Sequence, residues 1–429
     1  MQIGMPSART ESRRDDLDSV SFRNHSWHTP GIHINRIIVL LTKTIKMKIS
    51  TLSAAFIAPA LAAPTSQASS TKVVFANSGH IYLASYDGSG FTTAVNSSFK
   101  NTDPSWLAFV PPNSLYAVND IASNTFLYNI DTNANTIKQV TNKQGSGGVV
   151  HLETNKAGTR MLGAGYGSGK IDVWNIENGG LSLIKSISSP GPLGPDPDRQ
   201  DAPHPHQTVN DPTGRYFFAN DLGTDSILVI DSQNDAFNIV NRMAVVPAGS
   251  GPRHGVFYPF GAAKATHYFL LCEMGNVVIS YKLNYTDNGK GIEFTTTQVL
   301  NSFGPNSQKP VGAGAGELVL SPDNKDLYLS NRLTGQATDN IAHIKLIDNG
   351  ADNVQLLWIN SVSSGGTGPR MFSISNDGSS LFVTNQDGAL GVAAIARNAT
   401  DGSLDTKFHG TISNSAFGGQ GPQYIRQIL

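Results

Sequence analysis

The chain has 429 residues, of which only 15% are charged, and its formal net charge is −1. This near-neutral composition gives no electrostatic reason to expect a nucleic acid as partner. The 43 glycines and 22 prolines suit an all-β protein in which many short strands are joined by tight turns. The single cysteine, Cys272, excludes an intramolecular disulfide and is expected to be an inert buried thiol.

The N-terminal part of the chain contains a segment typical of a secretory signal peptide. Residues 1–46 are polar and mixed in charge, and we interpret them as an extension outside the fold. Residues 47–63 combine a basic residue after Met47, an apolar stretch and small residues before the end, which is the layout of a cleaved signal. Lysines interrupt the apolar run on its N-terminal side, so no membrane span is predicted.

Secretion agrees with three Asn-X-Ser/Thr triplets, which are acceptors of N-linked glycans. They begin at Asn96, Asn284 and Asn398. The sequence therefore predicts a secreted or cell-surface glycoprotein, for which the cell wall or the extracellular matrix is a candidate partner.

From residue 71 to residue 429 the chain repeats one strand-turn-strand unit. Seven aromatic or β-branched strands end in comparable pairs of positions, at residues 81–86, 115–120, 161–166, 217–221, 269–274, 327–332 and 381–386. A period of about fifty residues without a long helical pattern predicts an all-β fold, a seven-bladed β-propeller.

The blades are predicted in chain order. Blade one begins near residue 71, and the other six cover residues 103–146, 147–188, 204–249, 250–303, 304–366 and 367–412. The Pro- and Gly-rich residues 188–203 lack a strand period, so we expect them to form a lid or rim loop. The C-terminal residues 421–429 look like a strand that returns to blade one and closes the ring.

A second alignment, on the first strand of each repeat, predicts where a site lies. It places His206, Arg253 and Arg370 at comparable heights around the central channel. Glu273 and Arg332 break the repeat at the ends of second strands, and Glu273 stands where three other blades carry Asn. Irregular positions in a repeat are where function is commonly added.

Several motifs resemble the lactonase family of seven-bladed propellers, which includes bacterial 6-phosphogluconolactonases and fungal 3-carboxy-cis,cis-muconate cyclases. The motifs are PHPH (203–206) before a DPTGRY turn, GPR at 251–253 and 368–370, AGEL with LSPD (315–323) and YLSNR (328–332). The likeness covers about residues 72–429 and implies the propeller fold. It also implies a site without metal or cofactor, whose functional residues fall on His206, Arg253, Glu273 and Arg332.

These residue types suit proton transfer on a small anionic substrate. A guanidinium grips a carboxylate or phosphate through two hydrogen bonds. A histidine titrates near neutrality and can give or take a proton, while Glu273 can orient that histidine or act as base itself. The predicted catalytic residues are therefore His206, Glu273, Arg253 and Arg332.

Three further residues are predicted to bind substrate, namely His204, Arg370 and Glu317. Each has a structural alternative: a cap of the preceding loop for His204, an ion pair between blades for Arg370, and hydrogen bonds to blade backbone for Glu317. On a regular strand His254 should point away from Arg253. His151 is expected to be a packed histidine.

Two reactions are compatible with these predicted catalytic residues. A cyclase adds a substrate carboxylate to a double bond and protonates the adjacent carbon, whereas a lactonase activates water against a lactone carbonyl. The fungal style of the signal and of the glycosylation triplets favours a carboxy-cis,cis-muconate cyclase, with 6-phosphogluconolactonase-like lactone hydrolysis as the alternative. The alternative of another class is a non-catalytic secreted glycoprotein or adhesin.

Overall fold

A computed structural model describes residues 71–350 and 353–429, and it confirms the seven-bladed β-propeller. The predicted extension (1–46) and signal segment (47–63) lie outside the described residues. Within these ranges no helix is long and apolar enough to cross a membrane.

Each blade is a four-stranded antiparallel sheet, and the strands are numbered in chain order. Blade one contains β1 (Thr71–Asn77), β2 (His80–Tyr86), β3 (Phe91–Ser98) and β28 (Tyr424–Gln427). Blade two contains β4 (Leu107–Val110), β5 (Ser114–Ala117), β6 (Asn124–Asp131) and β7 (Thr136–Gln144). Blade three contains β8 (Val149–Thr154), β9 (Arg160–Gly165), β10 (Lys170–Asn175) and β11 (Ser182–Ser188).

Blade four contains β12 (Pro205–Asn210), β13 (Tyr216–Asp221), β14 (Ser226–Asp231) and β15 (Asn238–Ala244). Blade five contains β16 (Pro252–Tyr258), β17 (His267–Cys272), β18 (Val277–Tyr285) and β19 (Ile292–Asn301). Blade six contains β20 (Gly314–Leu320), β21 (Asp326–Arg332), β22 (Asn340–Asp348) and β23 (Val354–Ser363). Blade seven contains β24 (Phe372–Ile374), β25 (Ser380–Thr384), β26 (Leu390–Arg397) and β27 (Leu404–Ser413). Short 3₁₀ turns cover Glu177–Gly179, Gln233–Asp235 and Asn414–Phe417.

The C-terminal strand closes the ring as predicted. β28 pairs antiparallel with β1, with Val73 opposite Gln427 and Ala76 opposite Tyr424. Blade one is thereby completed by the last strand of the chain, and two strand edges that an open ring would expose are paired.

The hydrophobic core lies between neighbouring blades because the middle strands are buried on both faces. All six residues of β13 are buried, whereas the outermost strand β3 is mostly exposed. Between blades four and five, Phe218 packs against Phe257, Tyr268 and Phe294 with ring centroids 4.7–5.1 Å apart. Cys272 is fully buried, and burial raises the pKa of its thiol well above the usual range.

The innermost strands of blades three to six carry a bulge where they enter the channel. Pairing skips one residue in three of these strands, Val150 in β8, His206 in β12 and Arg253 in β16. In β20 it skips two residues, Gly316 and Glu317, opposite the single Ser330 of β21. A bulge re-aims the side chains on either side of it. The expected orientation of His254 is therefore wrong: His254 and Arg253 line the same channel opening.

The three predicted glycosylation positions are exposed. Asn96 lies on β3, Asn284 on β18, and Asn398 follows β26. Glycosylation at these positions stays a prediction.

Candidate active site

The aligned first-strand positions of the blades come together around one narrow opening, where most of the side chains are buried. Six blades contribute side chains to this opening, namely Ser105, Val150, His206, Arg253, Arg370 and Gln423. Blade six contributes Gly316, which has no side chain. Trp106, His254 and Met371, each one position further along its blade, also line the opening. The structure thus brings His206, Arg253 and Arg370 together around one axis.

Glu273, which directly follows β17, is held by three arginines from three parts of the chain. Its Oε2 accepts from Arg253 Nε at 2.9 Å and lies 3.1 Å from the Arg332 Nη2. Its Oε1 accepts from Arg199 Nη2 at 2.7 Å. Three guanidinium groups therefore share one carboxylate, and the cluster is rich in positive charge.

This cluster keeps Glu273 ionised. Burial alone would raise the pKa of Glu273, but Arg332 and Arg253 outweigh it and lower that pKa to about 2. Burial, with Arg332 beside it, lowers the pKa of Arg253 to about 9. The prediction that Glu273 acts as base or orients His206 is therefore not supported, because its oxygens are committed to arginines.

His206 is neutral and has a ring nitrogen that can take a proton, while burial and the neighbouring Arg253 weaken it as a base. Its side chain is buried, and its Nδ1 has no hydrogen-bond partner among the described residues. Burial, reinforced by Arg253, lowers the pKa of His206 well below its usual range. The imidazole is therefore neutral near pH 7, and it lies edge-on to the His254 ring with centroids 5.1 Å apart.

Next to His206 lies a buried pair, His254 and Glu317, which strict strand alternation did not predict. His254 Nδ1 is 2.8 Å from Glu317 Oε1, although 63 residues separate them in the chain. Burial raises the pKa of Glu317 to about 8, and burial with Arg253 lowers the pKa of His254 well below its usual range. His151 packs against His254 at 5.4 Å, as a packed histidine was expected to do. No three His, Cys, Asp or Glu side chains among residues 71–350 and 353–429 converge as a metal site requires.

Comparison with known proteins assigns this propeller to a family. Residues 65–415 match the family model described as "Lactonase, 7-bladed beta-propeller". The chain belongs to this lactonase family.

Individual proteins similar to this chain carry names that are consistent with this family. The chain is 30% identical over 312 residues to an Arthroderma benhamiae protein named "Probable 6-phosphogluconolactonase", which spans 67% of this chain and 76% of the relative. It is 29% identical to a Formosa agariphila 6-phosphogluconolactonase over 68% of this chain and 79% of that one. A Bacteroides fragilis crystal structure, provisionally named a 6-phosphogluconolactonase, is 25% identical with a TM-score of 0.70 and covers 86% of this chain and 100% of its own.

In this lactonase-family propeller, His204 has a structural role. Its Nδ1 lies 2.7 Å from the Tyr166 carbonyl oxygen and its Nε2 lies 3.0 Å from Asp201 Oδ1. Its ring also stacks on Tyr166 with centroids 4.3 Å apart. Both ring nitrogens are thus occupied by protein groups, which supports the cap alternative over substrate binding.

Arg370 combines a structural contact with a place at the opening. Its Nη2 donates to Asp120 Oδ2 at 3.0 Å and its Nη1 donates to Gln423 Oε1 at 3.1 Å. These partners belong to blades two and one, so the arginine forms the expected ion pair between blades.

Glu317 also keeps a backbone contact, since its Oε1 accepts from the Leu318 N–H at 3.0 Å.

Sequence reasoning missed Arg199 and Tyr166. Arg199 is the lone basic residue of the Pro- and Gly-rich segment 188–203, a signal that could have singled it out. Arg199 reaches Glu273 from this segment, and the role of the segment as a lid or rim loop stays a prediction. Tyr166 directly follows β9, the second strand of its blade, and lies edge-on to His206 with ring centroids 5.6 Å apart.

Proposed function

We propose that this protein hydrolyses small lactones that carry an anionic group, with 6-phosphogluconolactone as the model substrate. The observation that carries the proposal is the neutral, buried His206 at the same opening as a cluster in which three arginines share one carboxylate. Excess guanidinium charge attracts an anionic substrate, and the neutral imidazole is a base.

The proposed reaction uses the residues at the opening. His206 takes a proton from water as the water oxygen attacks the lactone carbonyl carbon. The negative charge of the tetrahedral intermediate then develops on the side of the arginine cluster, whose net positive charge stabilises it without any buried guanidinium turning away from its partners. As the carbon–ring oxygen bond breaks, protonated His206 returns the proton to the leaving oxygen, and the product is the open-chain hydroxy acid.

Lactone hydrolysis replaces the carboxymuconate cyclase as the favoured activity. Both reactions need an anion clamp and one proton-transfer residue, so the site geometry serves either. The relatives at 29–30% identity carry the name 6-phosphogluconolactonase, which favours hydrolysis. Secretion to the cell surface is a separate proposal that rests on residues 47–63 and the three glycosylation triplets.

A substrate panel tests the proposal. Purified protein is incubated with 6-phosphogluconolactone, gluconolactone and 3-carboxy-cis,cis-muconate, and acid release or loss of diene absorbance is followed above the spontaneous rate. We expect the phosphorylated lactone to be opened with the highest kcat/KM. Turnover of the muconate alone would instead identify a cyclase, and turnover of none would favour the non-catalytic glycoprotein.

A further inference from the structure

The three arginines around Glu273 are not equivalent, because only one is open to solvent. The Arg199 side chain is 44% exposed, whereas those of Arg253 and Arg332 are 2% and 11% exposed. An anion that enters from solvent therefore meets Arg199 before it meets the other two.

Arg253 and Arg332 are also fixed by backbone. Arg253 Nη1 donates to the Gly316 carbonyl at 2.6 Å, and Arg332 Nη2 donates to the Ala315 carbonyl at 2.9 Å. Turning either guanidinium toward a ligand would leave a buried carbonyl without its partner, which is unfavourable. These two arginines thus form a rigid wall that holds Glu273.

The backbone at Arg199 is held while its side chain remains accessible. The next residue, Gln200, is buried and donates through Nε2 to the Leu222 carbonyl at 2.8 Å. The Arg199 N–H donates to Asp196 Oδ1 at 3.1 Å, and Gly194 N–H donates to the Gly223 carbonyl at 2.9 Å. The rim segment therefore presents the arginine from a fixed base.

The contact of Arg199 with Glu273 can be replaced by a contact with another anion. A guanidinium has five N–H donors, and Arg199 gives one of them to Glu273. The Arg199 side of this pair faces solvent, so an incoming anion can reach the guanidinium without displacing a buried group. Glu273 keeps its two buried arginines when Arg199 leaves.

We propose that Arg199 is the specificity residue that binds the anionic group of the substrate, exchanging Glu273 for a phosphate or carboxylate at the mouth of the channel. The inference rests on the proposed function in taking that ligand to be a lactone substrate. A phosphate offers three acceptor oxygens and matches the two-pronged guanidinium, so a phosphorylated lactone is preferred over its neutral counterpart.

The test compares Arg199→Ala and Arg199→Lys with a matched control, Arg215→Ala. Arg215 is also 44% exposed and also pairs with a carboxylate at 2.7 Å, that of Asp231. It lies in the turn between β12 and β13, at the opposite end of blade four from His206 and Asp221. Each variant is assayed on 6-phosphogluconolactone and on gluconolactone, with thermal unfolding measured in parallel.

We expect Arg199→Ala to lower kcat/KM for the phosphorylated lactone roughly 10- to 100-fold, mainly through KM. The neutral lactone and the Arg215→Ala control should change by less than about 2-fold. Arg199→Lys should be intermediate, because it keeps the charge without the planar fork. Equal losses on both lactones, or no loss on either, would overturn the proposal.

A binding measurement separates this inference from the proposed function. If the wild-type protein hydrolyses no lactone, the proposed function fails, and calorimetric titration with 6-phosphogluconate and gluconate then tests Arg199 directly. Selective weakening of 6-phosphogluconate binding in Arg199→Ala supports the anion site. Equal affinities in the variant and wild type, or no binding by wild type, overturn it.

Discussion

At the scale of single residues, the charge of the site depends on Glu273. Its carboxylate lies against Arg199, Arg253 and Arg332 within 2.7–3.1 Å. Two of these guanidiniums are largely buried, so they have little water to replace a lost partner.

Glu273→Gln should therefore destabilise the protein and make its stability depend on anions. Removing one member of a buried ion pair costs about 3–5 kcal/mol, because the remaining charges stay desolvated. Phosphate in the buffer should restore part of the melting temperature by pairing with the Arg199 guanidinium, which is open to solvent. Thermal unfolding in phosphate and in chloride measures this, with Glu293→Gln, whose side chain is 38% exposed, as control. An unchanged melting temperature would contradict it.

His206→Ala should lower kcat by about 10²–10⁴ with little loss of stability. The imidazole Nδ1 has no partner among the described residues, so truncation breaks no hydrogen bond at that atom. His204→Ala is the matched control from the same PHPH motif. It loses contacts to Tyr166 and Asp201, so it should lower the melting temperature with a smaller effect on kcat. Full activity in His206→Ala would remove the proposed base.

Glu317 should make stability fall as pH rises. The folded carboxyl keeps its proton up to about pH 8, while an unfolded glutamate loses it near pH 4.5. Its contribution to the free energy of unfolding is therefore complete below about pH 4.5 and decreases as the pH rises toward 8. Glu317→Gln cannot ionise, so its melting temperature should fall less than that of wild type between about pH 5 and about pH 8. Parallel curves for the two proteins would refute the shift.

At the scale of elements, the bulges on the innermost strands place the site. In β16 the bulge turns Arg253 and His254 toward one opening, which strict alternation forbids. In β20 the same irregularity brings Gly316 close to β21. A Cβ built on Gly316 would lie 2.4 Å from Ser330 Oγ and 3.1 Å from Arg332 Cδ.

Gly316→Ala should therefore impair both folding and activity. The added methyl would also lie 2.8 Å from the Pro369 carbonyl oxygen, which is backbone and cannot rotate away. We expect a lower melting temperature and, through displaced Arg332, a lower kcat/KM. Gly147→Ala is the control, because a Cβ there meets nothing within 4 Å. Equal behaviour of the two variants would argue against a rigid bulge.

At the scale of the whole molecule, stability depends on ring closure. β28 supplies the innermost strand of blade one, and its Tyr424 and Ile425 are buried in the core there. Deleting residues 421–429 should thus expose the edge of β1 and lower the melting temperature of the entire propeller in one cooperative transition. Removing only Leu429, which is exposed, is the control. A truncated protein that melts like wild type would show that closure contributes little.

The repeat made much of the architecture readable from sequence. Period, turn residues and strand composition are local properties, so they predicted seven blades, and the strands of blades two to seven fall within one residue of the predicted ranges. Alignment of the first strands placed His206, Arg253 and Arg370 at one opening, because equivalent positions of a repeat lie at equivalent heights around its axis.

Only the tertiary structure decided how these groups are partnered. A bulge adds one residue to a strand and leaves no signal in the composition. Strict alternation along β16 therefore predicted the wrong direction for His254, and the contact of His254 with Glu317 was not predicted. Arg199 lies 74 residues from Glu273 on a segment without strand periodicity. Whether a carboxylate is a base or an ion-pair partner depends on burial and on charges close in space, and for Glu273 both come from distant parts of the chain.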